Sequence, residues 1–558
     1  MKSYLRPFLL EALSALGIPA PDDITLELPR NPEHGDLSTN LAMTLAKAQK
    51  KNPRELATAL VESLRSRIDA AVVTEISIAG AGFINFTFAD TFYGSRLKAV
   101  LEAGEAYGKN AKGTGVRVNV EYVSANPTGL LHVGHGRNAA IGDTVANILQ
   151  WNGYDVTREY YFNNAGNQMN NLGKSVHKRY LESLDAAKFP FPTVEEDESL
   201  YRGEYITEIG KNLADKHGSA LQEASEENLT LCRKAGEEWC FAAITKTMLR
   251  MNIRHDVYFN EDSLYSEGKV ADTIQKLKEN GVAYEKDGAT WLALSQMGMQ
   301  DDRVMIKSSG EPTYRLPDIA YHHDKLARRK FDMVVDILGA DHIATYPDVL
   351  AAVKSLGENP EKVRVLIYQF VTLMHNGEQV KMSKRTGKAY TLDDLLEEFG
   401  EDVTRFFFVM RSNNTHLEFD IGLASEQSDK NPVFYLQYAH ARISSVLRQA
   451  EERGVKVNAE TIANAETTLL VHPSEIDVLK LILRFPETVA RAGEILEPQV
   501  IAEFLREVAA AFHKFYHDCR ILGESENVMN ARFALAFATK TVLQNGLRIL
   551  GISAPEKM

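Results

Sequence analysis

The sequence predicts a multidomain α/β protein with a small α/β N-terminal domain, a Rossmann-like domain built on a parallel sheet, and an all-α C-terminal bundle. Three observations favour this fold class. The chain has 558 residues, a length typical of about three to four domains. An alternating apolar run at 116–122 leads through a loop with proline and glycine into a helical pattern, as in the first βα unit of a nucleotide-binding sheet. From about residue 395 onward, apolar residues recur at helical spacing.

The N-terminal domain is predicted from helical patterns that precede strands. Apolar residues recur at helical spacing over 3–16, 38–50 and 53–68, and the runs VVTEISIA (72–79) and GFINFTF (82–88) are strand-like. The string AYGKNAKGTG that follows is typical of a linker. We expect the first helix to have one apolar face, formed by Leu5, Leu9, Leu10, Leu13 and Leu16.

The Rossmann-like domain begins with the strand at 116–122, and we expect its first helix after His135, ending at Asn152-Gly153. A polar, helical stretch at about 170–250 indicates an insertion whose fold the sequence does not specify, and its acidic run at 195–198 is typical of a solvated surface. Strand patterns return between 289 and 374. The predicted bounds are 1–108 for the N-terminal domain, 109–395 for the Rossmann-like domain, 396–430 for a connecting segment, and 431–558 for the helical bundle.

Composition excludes several classes of protein. Apolar residues make up 44% and charged residues 25% of the chain, which is ordinary for a soluble enzyme, and we expect no membrane span because no apolar stretch approaches about 18 residues. Glu11 interrupts the apolar run near the N-terminus, which favours an amphipathic helix over a signal peptide. Three cysteines without a CxxC pair argue against a zinc ribbon or a disulfide framework and predict a cytoplasmic location.

The formal net charge of −13 argues against a general nucleic-acid binder, which would usually be basic. A large protein that binds RNA needs only a local basic track, however. The charge therefore neither supports nor excludes an RNA partner.

The tetrad HVGH (132–135) lies between the first strand and its helix. A helix N-terminus offers free N–H groups and a favourable dipole to phosphate, and His132 and His135 could each donate a hydrogen bond to a phosphate oxygen. Gly134 and Gly136 would let a nucleotide approach the backbone closely. The alternative is that the two histidines are helix-cap or surface residues. Their position after a strand and loop favours ATP binding and catalysis.

A second motif, Lys381-Met382-Ser383-Lys384, follows a hairpin-turn signal at His375-Asn376-Gly377. Mobile ammonium groups suit a negative charge that develops mainly in the transition state, so we expect Lys381 and Lys384 to be catalytic and Met382 and Ser383 to line the ATP site. A solvated basic turn is the alternative. The order of the two motifs makes that alternative the weaker one.

Between the motifs, Gly339-Ala340-Asp341-His342 follows the strand-like run DMVVDIL. The carboxyl end of a strand is where open α/β sheets bind ligands, so Gly339, Asp341 and His342 are candidate ATP-site residues. Asp341 could accept a hydrogen bond from a ribose hydroxyl or contribute to an amino-acid pocket. It could equally be the N-cap of the next helix.

HVGH followed by KMSK resembles the paired signatures of class I aminoacyl-tRNA synthetases, which also gives the expected fold of the Rossmann-like domain. Four longer strings resemble the arginyl-tRNA synthetase family over nearly the whole chain: SANPTGLLHVGHGR, REYYFNNAGNQM, GEPTYRLPDIAYH and YLQYAHARI. The resemblance implies ATP-dependent attachment of L-arginine to tRNA(Arg) through arginyl-adenylate. It also implies Mg²⁺ carried with ATP rather than held at a dedicated protein metal site, and we expect the protein to be a monomer.

Residue roles follow from the same resemblance. It implies that Asp318 is the main partner of the arginine guanidinium, that Glu121 and Tyr314 lie beside it, and that Asn126 binds the α-amino or carboxylate end of arginine. Ser124 is a further expected arginine-binding residue. The alternatives are a strand-end charge for Glu121, a core position for Tyr314 and a helix N-terminal charge for Asp318. Pro317 disfavours helix at the preceding residue, which would separate Tyr314 from Asp318.

The resemblance also implies two sets of tRNA contacts. Aromatic rings stack on unpaired bases, and the residues concerned are either exposed for that purpose or part of an apolar core stripe. The set expected at the tRNA elbow is Phe83, Asn85 and Phe86, and the set expected at the anticodon is Tyr435, Tyr438, Arg442, Tyr516 and Met558.

Two other functions would use parts of this sequence. A small-molecule nucleotidyltransferase could share the HVGH fold, but it would not need residues 431–558. A non-enzymatic RNA-binding relative would be expected to lose signature residues, whereas both motifs are intact here.

Overall fold

The computed structural model describes residues 1–29, 31–164, 166–380, 390–455 and 457–558, apart from the side chains at 32 and 459. Along this described chain, every helix is too short or too polar to cross a lipid bilayer. The three cysteines are buried free thiols, and burial raises the pKa of Cys232 and of Cys240 to about 12.

The N-terminal segment packs helices on a small antiparallel sheet with strand order β1-β3-β2. The predicted helix at 38–50 starts too early, because residues 37–39 pair with 84–86 as a fully buried strand and the helix begins at Leu41. Pairing with a neighbouring strand overrides the helical spacing there. The elements are α1 (Lys2–Ala15), β1 (Leu37–Thr39), α2 (Leu41–Gln49), α3 (Pro53–Arg65), β2 (Val73–Ala79), β3 (Phe83–Phe88) and α4 (Asp90–Ala103).

A five-stranded parallel sheet follows, with the order β11-β10-β4-β5-β6. Its strands are β4 (Arg117–Glu121), β5 (Asp155–Phe162), β6 (Val257–Asn260), β10 (Met333–Gly339) and β11 (Val363–Tyr368), and the antiparallel strands β7 (Ala283–Lys286), β8 (Ala289–Leu292) and β9 (Arg303–Ile306) lie between them in sequence. The chain builds β5 and β6 on one side of β4, then returns to build β10 and β11 on the other. The carboxyl ends of β4 and β10 therefore form the switch point of the sheet, where such folds open a crevice.

The helices of this region include the insertion that the sequence left undefined. The insertion consists of three helices around an apolar core, and most of the acidic run at 195–198 is exposed between the first two of them. The helices are α5 (Val133–Trp151), the insertion helices α6 (Gly166–Leu184), α7 (Glu204–His217) and α8 (Glu226–Arg250), and then α9 (Asp262–Ser266), α10 (Lys269–Glu279), α11 (Arg315–His323) and α12 (Tyr346–Ser355).

The predicted hairpin at 375–377 is confirmed, since Asn376 and Gly377 both have positive φ between the antiparallel strands β12 (Val371–His375) and β13 (Glu378–Gln379). The purely helical prediction after residue 395 is wrong at one place. Strand β14 (Leu417–Asp420) pairs in parallel with β12, because alternate burial of its side chains fits a strand too short to register in a helical pattern. The helices are α13 (Leu392–Phe399), α14 (Glu401–Val409), α15 (Ile421–Ser425), α16 (Pro432–Glu452), α17 (Ala459–Ala463), α18 (Pro473–Ile495), α19 (Gln499–Asp518) and α20 (Glu526–Leu550).

The chain divides into two compact units that cut across the C-terminal helices. The first unit contains Met1–Tyr107, Arg442–Arg484 and Val508–Val542, and the second contains Gly108–Ala441, Phe485–Glu507 and Leu543–Met558. The parallel sheet and the whole crevice at its switch point belong to the second unit.

Within the second unit, the buried guanidinium of Arg405 joins three helices. It pairs with the carboxylate of Asp143 on α5 and donates to the carbonyl oxygens of Met251, at the end of α8, at 2.8 Å and of Leu550, at the end of α20, at 2.5 Å. Gly551 has φ +71°, and a Cβ there would overlap the guanidinium. Arg405 therefore holds the helix that follows the HVGH turn against the insertion and the last helix of the chain.

We expect Arg405→Leu to lower the free energy of unfolding of this unit by about 3–5 kcal/mol, because it leaves the Asp143 carboxylate buried without its main cation. Urea unfolding followed by circular dichroism measures the loss. Arg364→Leu is a matched control, since Arg364 is exposed and its one recorded hydrogen bond, to the Glu494 carbonyl, is long at 3.4 Å. That control should change stability by less than about 0.5 kcal/mol, and equal losses in both variants would contradict the assignment.

Candidate active site

The loop between β4 and α5 forms one wall of the crevice, and it begins with a strained turn. Val123 and Ser124 have φ values of +72° and +45°, which a β-branched residue such as valine rarely adopts. The Val123 N–H donates to the Asn138 side chain at 2.6 Å, and Asn138 in turn donates to the Ile337 carbonyl of β10 at 2.8 Å. These bonds hold the strained conformation at the edge of the crevice, which is where backbone strain is commonly found in functional sites.

The HVGH turn is a reciprocal cap on α5. His132 is the N-cap residue, and its Nδ1 accepts from the His135 N–H at 3.3 Å, while the His135 Nδ1 accepts from the His132 N–H at the same distance. The two rings are stacked with centroids 3.6 Å apart. The helix therefore begins at Val133 and not after His135, because this cap supplies acceptors for two N–H groups of its first turn.

This cap fixes the protonation of both imidazoles. A ring whose Nδ1 accepts a hydrogen bond carries its proton on Nε2, so each histidine retains one N–H donor that the cap does not use. Burial lowers the pKa of His132, and burial together with the neighbouring His132 lowers the pKa of His135 to about 3. Both rings are therefore neutral near pH 7.

The two glycines of the turn are explained by packing. A Cβ on Gly134 would lie 2.9 Å from the His132 ring, and one on Gly136 would lie 2.6 Å from Leu392 and 2.8 Å from Phe408. Gly136 is buried against α13 and α14, so helix packing is sufficient to explain glycine at that position.

The four predicted residues of the second motif, Lys381, Met382, Ser383 and Lys384, lie outside the described residues. Further along the chain, Thr391 and Leu392 contact the HVGH turn. Thr391 forms a β-bridge with His132, and the Leu392 N–H donates to the Leu131 carbonyl at 2.8 Å. Thr391 also caps α13 through a reciprocal bond with Asp394. The segment that follows the KMSK motif is thus attached directly to the start of the HVGH turn.

On the β10 side of the crevice, the predicted residues Gly339, Asp341 and His342 form a single short turn. A Cβ on Gly339 would lie 2.4 Å from Oδ1 of Asp341, so glycine lets that carboxylate fold back over the end of the strand. Asp341 lies within a short 3-10 turn and Thr345 precedes the next helix, so the N-cap interpretation of Asp341 is wrong. The Asp341 side chain is 71% exposed and lies 3.7 Å from the His342 ring, which leaves it accessible to a ligand.

Three buried carboxylates lie in one row across the sheet. Asp336 on β10 is in register with Glu121 on β4, and Glu121 is in register with Glu159 on β5. Each side chain is less than a tenth exposed. Side chains so close to one another cannot all stay ionised unless cations balance them.

The middle of this row is balanced by Lys325, which lies in a π-helical turn after α11. Its fully buried ammonium donates to Glu121 at 2.6 Å and to Asp336 at 2.9 Å, and lies 4.1 Å from the centre of the Tyr321 ring. Burial alone would lower the pKa of Lys325, but the carboxylates of Asp336 and Glu121 outweigh it and raise that pKa. Glu121 does end β4, as the strand-end alternative expects, but it is buried and a resident cation already occupies it.

The two ends of the row are balanced from the same helical segment. Arg329 pairs with Glu159 through both guanidinium nitrogens, and these bonds outweigh burial and lower the pKa of Glu159. His322 bonds the Asp336 carboxylate at 2.9 Å, and that contact outweighs burial and raises the pKa of His322. Lys325, Arg329 and His322 together neutralise the row.

Asp318 lies on the same helix but has no such cation. Among the described residues, no recorded ion pair includes its carboxylate. Burial raises the pKa of Asp318 to about 7, and repulsion from Glu121, Glu261 and Asp336 adds to the shift while His322 opposes it. An acidic group left in this state is suited to an incoming cation.

Glu261, the second carboxylate near Asp318, was not among the site residues predicted from the sequence. It follows the edge strand β6, is half-buried, and accepts a 2.7 Å hydrogen bond from the Tyr161 hydroxyl. Burial raises its pKa. Its only local feature, an acidic residue directly after a strand, does not distinguish it from other acidic residues in the sequence.

Tyr314 and Asp318 share one face of α11. Tyr314 is the residue before the helix, and its carbonyl oxygen accepts from the Asp318 N–H. The predicted break at Pro317 is wrong, because proline in the first turn of a helix lacks only an N–H that would have no partner there. The Tyr314 side chain is 71% exposed, so the core interpretation is also wrong.

Ser124 and Asn126 lie on the loop between the two walls. The Ser124 hydroxyl donates to Glu121 at 3.0 Å and accepts from the Tyr161 N–H at 3.2 Å. The Asn126 side chain donates to Gln168 of α6 at 2.9 Å and accepts from the Asn163 N–H. Both polar side chains are therefore held by hydrogen bonds. We call the carboxylates without a resident cation, Asp318 and Glu261, the acidic pocket.

The residues predicted at the tRNA elbow differ in exposure. Phe83 is 41% exposed on β3, which contradicts a core role for it, whereas Phe86 is fully buried and Asn85 is nearly so. Only Phe83 presents a ring at the surface.

Of the residues predicted at the anticodon, three belong to the second unit and two to the first. In the second unit, Tyr435 is half-buried, Tyr438 is 43% exposed and Met558 is 57% exposed, so a purely core-facing stripe does not describe them. In the first unit, the Arg442 guanidinium lies 5.0 Å from the centre of the Tyr516 ring. That spacing is typical of a cation–π contact.

Three family models match successive parts of the chain. "Arginyl tRNA synthetase N terminal domain" matches residues 4–88, "tRNA synthetases class I (R), catalytic domain" matches residues 96–419, and "DALR anticodon binding domain" matches residues 436–558. The catalytic model alone covers more than half of the chain.

Full-length relatives of the chain are named arginine–tRNA ligases. The arginine–tRNA ligase of Salinibacter ruber is 49% identical, and that of Chlorobaculum tepidum is 46% identical, each over all of both chains. The solved structure of Thermus thermophilus arginyl-tRNA synthetase aligns over all of both chains with a TM-score of 0.75 at 23% identity, which concerns the fold alone.

If Asp318 binds the guanidinium of arginine, as predicted from the sequence, its pKa of about 7 makes that binding depend on pH. A guanidinium favours ionised Asp318, so binding below pH 7 must first release a proton, and affinity should fall up to about tenfold for each unit below that pKa. Above it, affinity should be constant. Isothermal titration calorimetry from roughly pH 5.5 to 8 measures this dependence. Asp318→Asn should bind weakly at every pH, and a flat profile for the unaltered protein would contradict the assignment.

Proposed function

The chain belongs to the arginyl-tRNA synthetase family, and on that premise we propose which of its residues carry out each step of the reaction. It attaches arginine to tRNA with ATP, through an adenylate intermediate. This confirms the predicted function over the nucleotidyltransferase and the RNA-binding alternatives. One observation carries the proposal: the HVGH turn lies between β4 and α5, it contacts Thr391 and Leu392 downstream of the KMSK motif, and the loop from β4 to this turn is bonded to Glu121 in the row of carboxylates.

Arginine is bound by the carboxylates that lack a resident cation. Asp318 and Glu261 take the guanidinium, with the exposed Tyr314 ring beside them. Ser124 and Asn126 orient the opposite end of arginine. The role of Glu121 becomes indirect, because its two oxygens already accept from Ser124 and Lys325. Glu121 anchors the loop through Ser124 and balances the charge of Lys325.

ATP is bound at the start of α5. The free Nε2–H groups of His132 and His135 donate to phosphate oxygens, and the N-terminal dipole of the helix adds to the attraction. Lys381 and Lys384 neutralise the charge that develops as pyrophosphate leaves, and Asp341 accepts from a ribose hydroxyl. Mg²⁺ enters with ATP.

The chemistry requires no protein nucleophile. The arginine carboxylate attacks the α-phosphorus and pyrophosphate leaves; the terminal ribose hydroxyl of tRNA then attacks the adenylate carbonyl and AMP leaves. The protein contributes positioning and electrostatic stabilisation. Neutral imidazoles suit this role, since they donate to phosphate without a change of charge.

The tRNA contacts are assigned unit by unit. In the first unit, the exposed Phe83 ring serves the elbow and the Arg442–Tyr516 pair serves the anticodon. In the second unit, the exposed side chains of Tyr438 and Met558 serve the anticodon. The domain bounds at 108, 395 and 430 stay predictions. We also propose that the protein acts as a monomer in the cytoplasm, which its three free thiols support.

We expect His132→Ser to reduce the rate of arginine charging at least tenfold. Serine is a good N-cap, so the helix is retained, but its short side chain cannot reach a phosphate oxygen. Charging of tRNA with labelled arginine measures the rate, and thermal unfolding should show little change in Tm. If the variant charged tRNA at the normal rate, His132 would be only a cap.

Tyr438→Ala should weaken tRNA binding about fivefold to a hundredfold, since stacking on one base contributes about 1–3 kcal/mol. Tyr438→Phe keeps the ring and is the matched control, with affinity near that of the unaltered protein. Filter binding with tRNA(Arg) measures both, and the KM values for ATP and arginine should not change. Equal affinity of the alanine and phenylalanine variants would exclude a stacking role.

A further inference from the structure

The loop of residues 122–131 connects the two halves of the site. Its first part carries Ser124 and Asn126 beside the acidic pocket, and its end leads into His132. The first part is anchored to β5, where the Tyr160 hydroxyl donates to the Ala125 carbonyl at 2.7 Å. The end is anchored by the bond from the Leu392 N–H to the Leu131 carbonyl.

The middle of the loop is held by the helical insertion. The hydroxyl of Tyr205, on α7, donates to the carbonyl of Thr128 at 2.7 Å. Thr128 also donates its own N–H to the Asn126 carbonyl at 2.8 Å, so the held residue bears directly on Asn126. A Cβ on the next residue, Gly129, would lie 3.2 Å from the same hydroxyl, which means that the loop passes close to the Tyr205 side chain.

The insertion fixes the position of the Tyr205 ring. The ring stacks on Trp239 of α8 with centroids 5.3 Å apart, and the Trp239 indole donates to Glu208 of α7 at 3.2 Å. Gly203 leaves space for the ring, since a Cβ there would lie 2.2 Å from it. Burial raises the pKa of the Tyr205 hydroxyl, so it remains a donor at neutral pH.

We propose that Tyr205 is a positioning residue for arginine activation, through which the insertion holds the loop that places Asn126 relative to the HVGH turn. This inference rests on the proposed function of that loop. It gives the insertion a role in the reaction: two of its helices fix one loop of the site, α6 through the Gln168–Asn126 bond and α7 through the Tyr205–Thr128 bond.

Paired tyrosine variants test this role. Tyr205→Phe removes only the hydroxyl and keeps the stack on Trp239. Tyr180→Phe is the matched control, because the Tyr180 hydroxyl also donates to a backbone carbonyl, that of Gly218 at 2.5 Å, and accepts from Leu221, but these contacts stay inside the insertion. Tyr180 is fully buried, so its hydroxyl is at least as important to the stability of the insertion.

With saturating tRNA and ATP, Tyr205→Phe should lower kcat/KM for arginine about three- to tenfold, the effect of one lost hydrogen bond. Tyr180→Phe should leave it within about twofold, although it lowers Tm at least as much. The affinity for tRNA should be unchanged in both variants.

Normal arginine kinetics in Tyr205→Phe would overturn the inference. So would equal losses of activity in both variants, because the hydroxyls would then act only through stability of the insertion. The His132→Ser variant separates this failure from failure of the proposed site. If His132→Ser loses activity while Tyr205→Phe does not, the site stands and only the role of Tyr205 is wrong.

Discussion

The balance of charge across the sheet is the constraint on which the site depends. Parallel pairing in register places Asp336, Glu121 and Glu159 side by side on three neighbouring strands, level with the end of β4. Such a row would be unstable without cations, and a single helical segment supplies them through His322, Lys325 and Arg329. The π-helical turn is consistent with this demand, since an altered helical repeat changes where Lys325 and Arg329 point.

The proposed preference for a cationic substrate depends on which carboxylates lack a resident cation. Asp318 is in the first turn of α11, one turn before His322, and Glu261 lies beyond the row, directly after the edge strand β6. The two carboxylates therefore remain available for a ligand that brings its own positive charge. A planar guanidinium offers several N–H donors at fixed angles, so it satisfies two separate carboxylates better than a single ammonium does. The resident cations thus shape the acidic pocket by limiting its extent.

The sequence was sufficient for three strands of the parallel sheet (β4, β10 and β11), the hairpin before KMSK and several candidate residues at strand ends, because each depends on local pattern, whereas β5 and β6 were not predicted. It could not indicate that Glu121 is already paired, since Lys325 is 204 residues away in the chain. Glu261 was missed for a related reason, as nothing local distinguishes it from other acidic residues after a strand. Strand β14 was missed because four residues are too few to establish a period. Contacts between residues far apart in the sequence determine all three features: the pairing of Glu121, the position of Glu261 and strand β14.

The HVGH turn shows why structural and functional interpretations of a motif need not compete. Two histidines three residues apart were expected to be either helix caps or phosphate ligands. In this geometry the two roles are compatible, because capping the helix leaves each histidine with the N–H group that a phosphate ligand needs. Capping uses Nδ1 of each ring as an acceptor, which leaves the proton on Nε2. Stacking and burial keep both rings neutral, so that proton is retained at physiological pH. A serine or aspartate would cap the helix equally well, but its side chain would be consumed by the cap. Histidine at both positions is explained by the need for one side chain to accept from the backbone at one nitrogen and donate to a ligand at the other.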